Sequence, residues 1–296
     1  MISTANFFWH GQLSLYEYAC IASFVKHNFT VQVFTFDDTM QIPAGATLRH
    51  AGDILSEKQL FSYTQSGQKG SLAAFSDAFR LHLLKKEGGW WFDTDVLCLK
   101  DADVFRETVR SKPKPLSMGW QNSKYINGGI LYAEDEPFVD ALLLHLEKAG
   151  KVFVWGEIGP KLITSVIKEF GYEDCADPVE RYYPVDGTDL VRMFDPGDRE
   201  WCDGKVSESL GVHLWNEVIR RLCIPKNVLP PKGSFLAEKF LAICPEMVNF
   251  PYLPLETALR LYDYPRLEEL ARNKAMKPVH KSMEAIAKLT KRLKKK

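Results

Sequence analysis

The chain has 296 residues, with 38 Lys and Arg against 38 Asp and Glu and 46% hydrophobic residues. This is a globular composition with room for one large α/β core or two smaller ones, and its neutral balance gives no reason to expect nucleic acid as a partner. No run approaches the roughly 20 apolar residues of a membrane span, and six cysteines without a C-x-x-C pair argue against a zinc site or disulfide framework and for reduced core thiols.

The opening MISTANFFWHG lacks the basic and apolar regions of a signal peptide, so a cytoplasmic location is the expectation. ANFFW (5–9) reads as a first strand. Ser14 followed by Glu17 has the form of a capping box opening a helix to about Asn28. TVQVFTFDD (30–38) reads as a second strand, and this β-α-β start predicts a parallel sheet with a ligand site at the strands' C-terminal ends. No G-x-G-x-x-G follows the first strand, so a dinucleotide fingerprint is missing, while a nucleotide held by other means stays open. In SLAAFSDAFRLHLLKKE (71–87), Leu72, Phe75, Phe79 and Leu83 recur at helical spacing. Gly88 and Gly89 end that helix, and WWFDTDVLCL reads as the next strand.

PLSMGW (115–120) and GGILYA (128–133) read as two further strands around a loop. Pro137 and Pro160 suit the first turns of two helices, the second ending at Gly171. Residues 196–235, rich in Gly, Pro and charge, read as a lid or loop region on the substrate side. The last fifty residues look helical, which divides the chain into a main domain, 1–250, and a helical basic extension, 251–296. From Arg272 to Lys296 there are ten Lys or Arg and one acid, with Met283, Ile286 and Leu289 at helical spacing. Such a tail suits an anionic membrane surface, the alternative being a solvated terminus.

Asp93 and Asp95 stand inside an otherwise apolar strand, where a buried carboxylate is costly unless it is paired or holds a metal. In an extended segment the two side chains point the same way, which suggests a cation site. Asp77 and Arg80 share a face of the preceding helix. A divalent metal beside an Asp/Arg pair makes a receptor for a sugar diphosphate: the metal neutralises phosphates, and the side chains bond sugar hydroxyls.

The string SDAFRLHLLKKEGGWWFDTDV resembles the sugar-binding D-x-D region of glycosyltransferases related to the yeast initiating α-1,6-mannosyltransferase. That group includes α-1,4-galactosyltransferases, bacterial capsule and lipopolysaccharide transferases and, more distantly, the core of the clostridial glucosylating toxins. FFWHG, INGGILYA and WGEIGPKLIT resemble further blocks of the family across residues 5–220. The resemblance implies a GT-A fold: a Rossmann-like, mostly parallel sheet with flanking helices. It implies a retaining transferase using Mn²⁺ or Mg²⁺ and a nucleotide sugar, in the first place a UDP-sugar, with a glycan or glycolipid acceptor in surface polysaccharide or lipopolysaccharide synthesis at the inner face of the membrane.

Carried onto matching positions, the resemblance has Trp9 stacking on uracil with Phe8 and His10 in the same pocket. Asp77, Arg80 and Trp91 surround the donor sugar. Asp93 touches ribose and metal, Asp95 ligates the metal directly, and Asn127 contacts the transferred sugar. The second motif, HLWNEVIRR, offers His213, and after it Asn216, as a further metal ligand. Asp95 and Asp93 with their metal carry the catalytic expectation, and no general base is assigned. Two alternatives stand beside this reading: a non-catalytic nucleotide-sugar-binding protein, and a hydrolase of the haloacid-dehalogenase type, which places its D-x-D near the chain start.

Overall fold

The computed structural model describes residues 3–61, 71–149 and 156–263. The strands are β1 (Thr4–Phe8), β2 (Thr30–Thr35), β3 (Ala46–His50), β4 (Trp90–Phe92), β5 (Val96–Cys98), β6 (Leu116–Trp120), β7 (Ile126–Ala133), β8 (Ala176–Asp177) and β9 (Gly211–His213). The helices are α1 (Leu15–Lys26), α2 (Ala73–Glu87), α3 (Ala102–Arg110), α4 (Glu136–Ala149), α5 (Leu162–Phe170), α6 (Val179–Tyr182), α7 (Arg199–Val206), α8 (Asn216–Arg221) and α9 (Phe235–Ile243). The capping box at Ser14 and Glu17 opens α1, Gly88 caps α2, and Gly171 ends α5 in the left-handed conformation that favours glycine.

Seven strands form one sheet in the order β3-β2-β1-β4-β7-β6-β8. Every strand runs the same way except β7, which is antiparallel to both neighbours. This mostly parallel α/β sheet with flanking helices has the layout that the resemblance to GT-A enzymes implies. The chain builds outward from β1 through β2 to β3 and then returns to β4 on β1's other side. That reversal leaves a crevice beyond the C-terminal ends of β1 and β4, where open α/β sheets bind ligands.

Alternation along the strands divides the core in two. Phe8, Phe34, Trp91 and Leu131 pack with α2, α4 and α5 on one face. Phe7, Trp90, Phe92 and Tyr132 pack with α1 and α3 on the other. Both tryptophans of the pair are thus buried, one on each face.

Three expectations need correction. WWFDTDVLCL is not one strand: β4 stays in the main sheet, while β5 leaves it to pair with β9 in a separate two-stranded sheet. Residues 196–235 are not a loose lid, because Cys202, Val206, Val212, Leu214 and Phe235 are buried in a third apolar cluster with Tyr16 and Phe240. Strands β3 and β8, not expected from sequence, occupy the two sheet edges.

All six cysteines are free; five are buried and Cys223 is exposed. Tyr252 bridges to Leu229, and Leu253 and Ala258 are buried in the third cluster. The proposed division at residue 250 falls just before these contacts. The basic tail, Arg272–Lys296, lies outside the described residues. Among the described residues, no helix is long and apolar enough to cross a membrane.

Candidate functional site

Between β4 and β5, Asp93, Thr94 and Asp95 form a turn closed by the Val96 N–H donating to the Asp93 carbonyl at 3.0 Å. The Asp93 N–H donates to the Gly129 carbonyl at 2.7 Å, and the Asp95 carbonyl accepts from the Leu214 N–H at 2.8 Å. The β5–β9 ladder sets Val96 opposite His213. Two chain segments more than a hundred residues apart thus meet at the D-x-D.

Each carboxylate has one oxygen engaged and one presented. Asp93 Oδ1 accepts from Arg80 Nη2 at 2.7 Å and from the Trp91 indole N–H at 2.8 Å. Asp95 Oδ2 accepts from the Asn216 N–H at 2.6 Å. The remaining oxygens, Asp93 Oδ2 and Asp95 Oδ1, face His213 Nε2 at 4.0 and 3.5 Å. Asp93, Asp95 and His213 each offer a ligand atom, all within 4.8 Å of one another. Two carboxylate oxygens and an imidazole nitrogen suit a divalent cation of the manganese or magnesium kind, the nitrogen favouring manganese.

Three glycines make the space. A Cβ on Gly129 would lie 2.9 Å from Asp93 Oδ2, one on Gly128 2.1 Å from Arg80 Nη1, and one on Gly159 2.7 Å from Asp77 Oδ2. Glycine inside a strand often marks such a close approach. Here it lets β7 run directly behind the charged residues.

The charges are unbalanced. Arg80 bridges Asp77 at 2.8 Å and Asp93 at 2.7 Å, with its guanidinium 5.1 Å from the Trp91 ring centroid. Its Nε is buried without a partner among the described residues. Burial opposes ionisation of Asp93, but Arg80 and His213 outweigh it and hold that carboxyl well below the usual range. Burial and the neighbouring Asp93 push Asp95 up against the pull of His213. Burial lifts Asp77 to about 6 despite Arg80. Burial favours neutral His213, yet Asp95 and Asp93 together raise its pKa. Three acids stand against one permanent cation, a deficit that a divalent ion would fill.

A cleft of about 800 Å³ runs from Trp9 and His10 past Asp77, Arg80, Asp93, Asp95 and His213 to Gln121, Asn127, Trp215 and Lys226. Its volume suits a nucleotide-sized ligand. Trp9 is half-buried beside it, its indole N–H donating to the Gln12 carbonyl at 3.1 Å, and His10 is exposed at the rim. Phe8 reaches the cleft floor but is mainly core, tilted against Phe79 at 4.6 Å. Trp91 is buried beneath the site and acts on Asp93. Asn127 lines the cleft with both ends of its amide engaged, donating to Gln121 Oε1 at 3.0 Å and accepting from the Gly129 N–H at 2.6 Å. Asn216 meets Asp95 through its backbone N–H, while its side-chain amide is engaged by Glu17 and Lys226.

Gln121, Trp215 and Lys226 were not singled out in the sequence, and neither was the close approach made at Gly128, Gly129 and Gly159. The paired glycines inside a strand were the one available signal. The first strand ends in Phe-Trp with no acid, and the D-x-D follows the fourth, so the haloacid-dehalogenase arrangement gains no support.

Two family models match consecutive stretches: the glycosyltransferase sugar-binding region containing the DXD motif over residues 15–112, and the alpha 1,4-glycosyltransferase conserved region over residues 132–250. Both matched models describe glycosyltransferase regions, and neither alone spans half of the chain. Lactosylceramide 4-alpha-galactosyltransferase of Mus musculus is 28% identical over 158 residues, covering 49% of this chain and 42% of that protein. Alpha-1,4-N-acetylglucosaminyltransferase of Homo sapiens is 26% identical over 183 residues, covering 56% of this chain and 50% of that protein. The chain thus spans about half the length of these curated relatives. Among solved structures, the galactosyltransferase LgtC in complex with donor and acceptor sugar analogues superposes with a TM-score of 0.44 at 12% identity, over 84% of this chain and 98% of that one. The UDP-bound glycosyltransferase domain of the YGT toxin gives 0.41 at 12% identity, over 88% and 99%.

Proposed function

We propose that this chain transfers a hexosyl group from a UDP-sugar to a glycan acceptor with retention of configuration, using Mn²⁺ or Mg²⁺ held by Asp93, Asp95 and His213. The observation that carries the reading is the pair of presented carboxylate oxygens facing His213 Nε2, beside Asp77 and Arg80, at the crevice where the sheet reverses.

In this reading the bound cation offsets the charge of the departing diphosphate. Arg80 keeps Asp93 ionised, and Trp91 fixes its rotamer. The Asn216 N–H does the same for Asp95. Asp77 accepts from hydroxyls of the donor sugar, Trp9 stacks on the base with His10 beside it, and Asn127 meets the transferred sugar through its remaining amide hydrogen. The names of the matched relatives support an α-1,4 linkage and a glycolipid acceptor. Surface polysaccharide synthesis at the inner face of a membrane, reached through the basic tail, completes the proposal.

The test is calorimetric titration of UDP, GDP and their common hexose conjugates into the protein with Mn²⁺ and with EDTA. Metal-dependent binding of UDP and one UDP-hexose is expected, followed by transfer of that hexose to a glycan acceptor. Absence of nucleotide binding in both conditions overturns the reading.

A further inference from the structure

The Glu17 carboxylate is 1% exposed although its evident local task, closing a helix cap, needs no burial. The cap uses only one oxygen: Oε2 accepts from the Ser14 N–H at 3.1 Å and from the Ser14 hydroxyl. The other oxygen reaches about two hundred positions along the chain, accepting from Asn216 Nδ2 at 2.9 Å and from the Lys226 ammonium. Lys226 also donates to Asn216 Oδ1 at 2.8 Å, which closes a triangle of three side chains. Backbone contact ties the same pieces together, the Leu15 N–H donating to the Lys226 carbonyl at 3.1 Å.

This triangle touches the cleft at two points. Asn216 sends its backbone N–H to Asp95 Oδ2 at 2.6 Å. Lys226 lines the cleft with its Nζ 5.5 Å from the Trp9 ring centroid. A lysine at a cleft wall has a long stem and many rotamers; a buried carboxylate below it selects one of them. A carboxylate holding the Asn216 amide likewise limits how far the Asn216 backbone can drift from Asp95.

We propose that Glu17 is a positioning residue for this cleft. It holds the Lys226 ammonium beside Trp9, as the fixed cation met by the diphosphate of a nucleoside diphosphate. Through Asn216 it keeps Asp95 Oδ2 engaged, so that Oδ1 stays turned toward His213. The inference rests on the proposed nucleotide-sugar reading and adds to it a group outside the D-x-D and the second motif.

The test compares UDP affinity in the presence of Mn²⁺, by calorimetry on the full chain, with the urea midpoint of each variant. Glu17→Gln keeps shape and loses charge, and Lys226→Met removes the cation; each should weaken UDP binding about tenfold, the lower range for partners of a metal's ligands. The double variant should lose little more than either single one, because both act through one contact. Ser14→Ala disturbs the cap alone, and should lower the urea midpoint while leaving UDP affinity within about twofold. Should Glu17→Gln not fold, Asn216→Ala leaves the cap intact and should also bind about tenfold more weakly. A folded Glu17→Gln, or Asn216→Ala in its place, binding UDP as tightly as the wild type overturns the inference, as do fully additive losses in the double variant. A wild type that does not bind UDP overturns the underlying reading and this inference with it.

Discussion

Asp93 and Asp95 share one design: one oxygen fixed by donors from the protein, the other turned toward His213. Such an arrangement stores negative charge in a buried place, and the titration of the neighbouring Asp77 makes that cost measurable. Burial lifts Asp77 to about 6, above the roughly 3.9 of an unfolded aspartate. The native state therefore binds more protons than the unfolded state between about pH 4 and 6, and stability falls as pH rises through that window. Asp95, also raised, adds to the same slope. Asp93, lowered, acts below the window. His213, raised, costs stability only as pH climbs past the ordinary histidine range. Asp77→Asn should thus remove a loss of about 2–3 kcal/mol between pH 4 and 6.5, read from urea unfolding of the metal-free protein in EDTA. An unchanged slope would show that Asp77 does not carry it. The Asp77–Arg80 and D-x-D pairs were legible only together, through the string S-D-x-x-R and G-G-W-W-x-D-x-D that joins them; either pair alone reads as a surface pair or a chance motif. Glu17 was not, since its capping partner three residues away already accounts for it locally.

The elements that carry these residues depend on small side chains at close approaches. Asp93 Oδ1 is held by Arg80 and Trp91, so Oδ2 cannot swing away from a new group on β7. Gly129→Ala, whose Cβ would lie 2.9 Å from that oxygen, should cost about 1–3 kcal/mol by overpacking and weaken Mn²⁺ binding about 10- to 100-fold. Gly204 of α7 is the control, exposed and with nothing within 4 Å of an added Cβ. Gly204→Ala should raise stability by about 0.5–1 kcal/mol and leave Mn²⁺ affinity unchanged. Equal metal affinity in both variants would mean that β7 does not shape the site. The same scale explains what local pattern concealed. Apolar residues continue on both sides of Asp93-Thr94-Asp95, so the segment reads as one strand; its break is set by β9, more than a hundred residues later. Gly and Pro between 196 and 235 read as loop, and burial of Cys202, Val212 and Phe235 overrides that composition.

Across the whole molecule, the site gathers residues from the end of β1, from α2, from the turn after β4, and from β7 and β9. None of these segments can hold a divalent ion alone, and the unfolded chain cannot bring them together. A cation that binds the native state alone stabilises it by mass action, about 2.7 kcal/mol at a hundredfold excess over the dissociation constant. For a chain of this size that corresponds to roughly 4–5 °C in the unfolding midpoint. Because β9, which carries His213, packs into the third apolar cluster through Val212 while the Asp93 N–H bonds the Gly129 carbonyl of β7 in the main sheet, the gain should appear in one cooperative transition and not in a single part of the chain. Scanning calorimetry with Mn²⁺ and with EDTA reads this directly. Asp95→Asn keeps the size of the side chain and loses its charge, so it should abolish the metal-dependent shift and reduce metal-dependent UDP binding at least about 100-fold. A variant that still gains the full shift from Mn²⁺ would place the stabilising ion elsewhere. A shift confined to one of two resolved transitions would show that the main sheet and the third cluster fold apart and that the site forms after them.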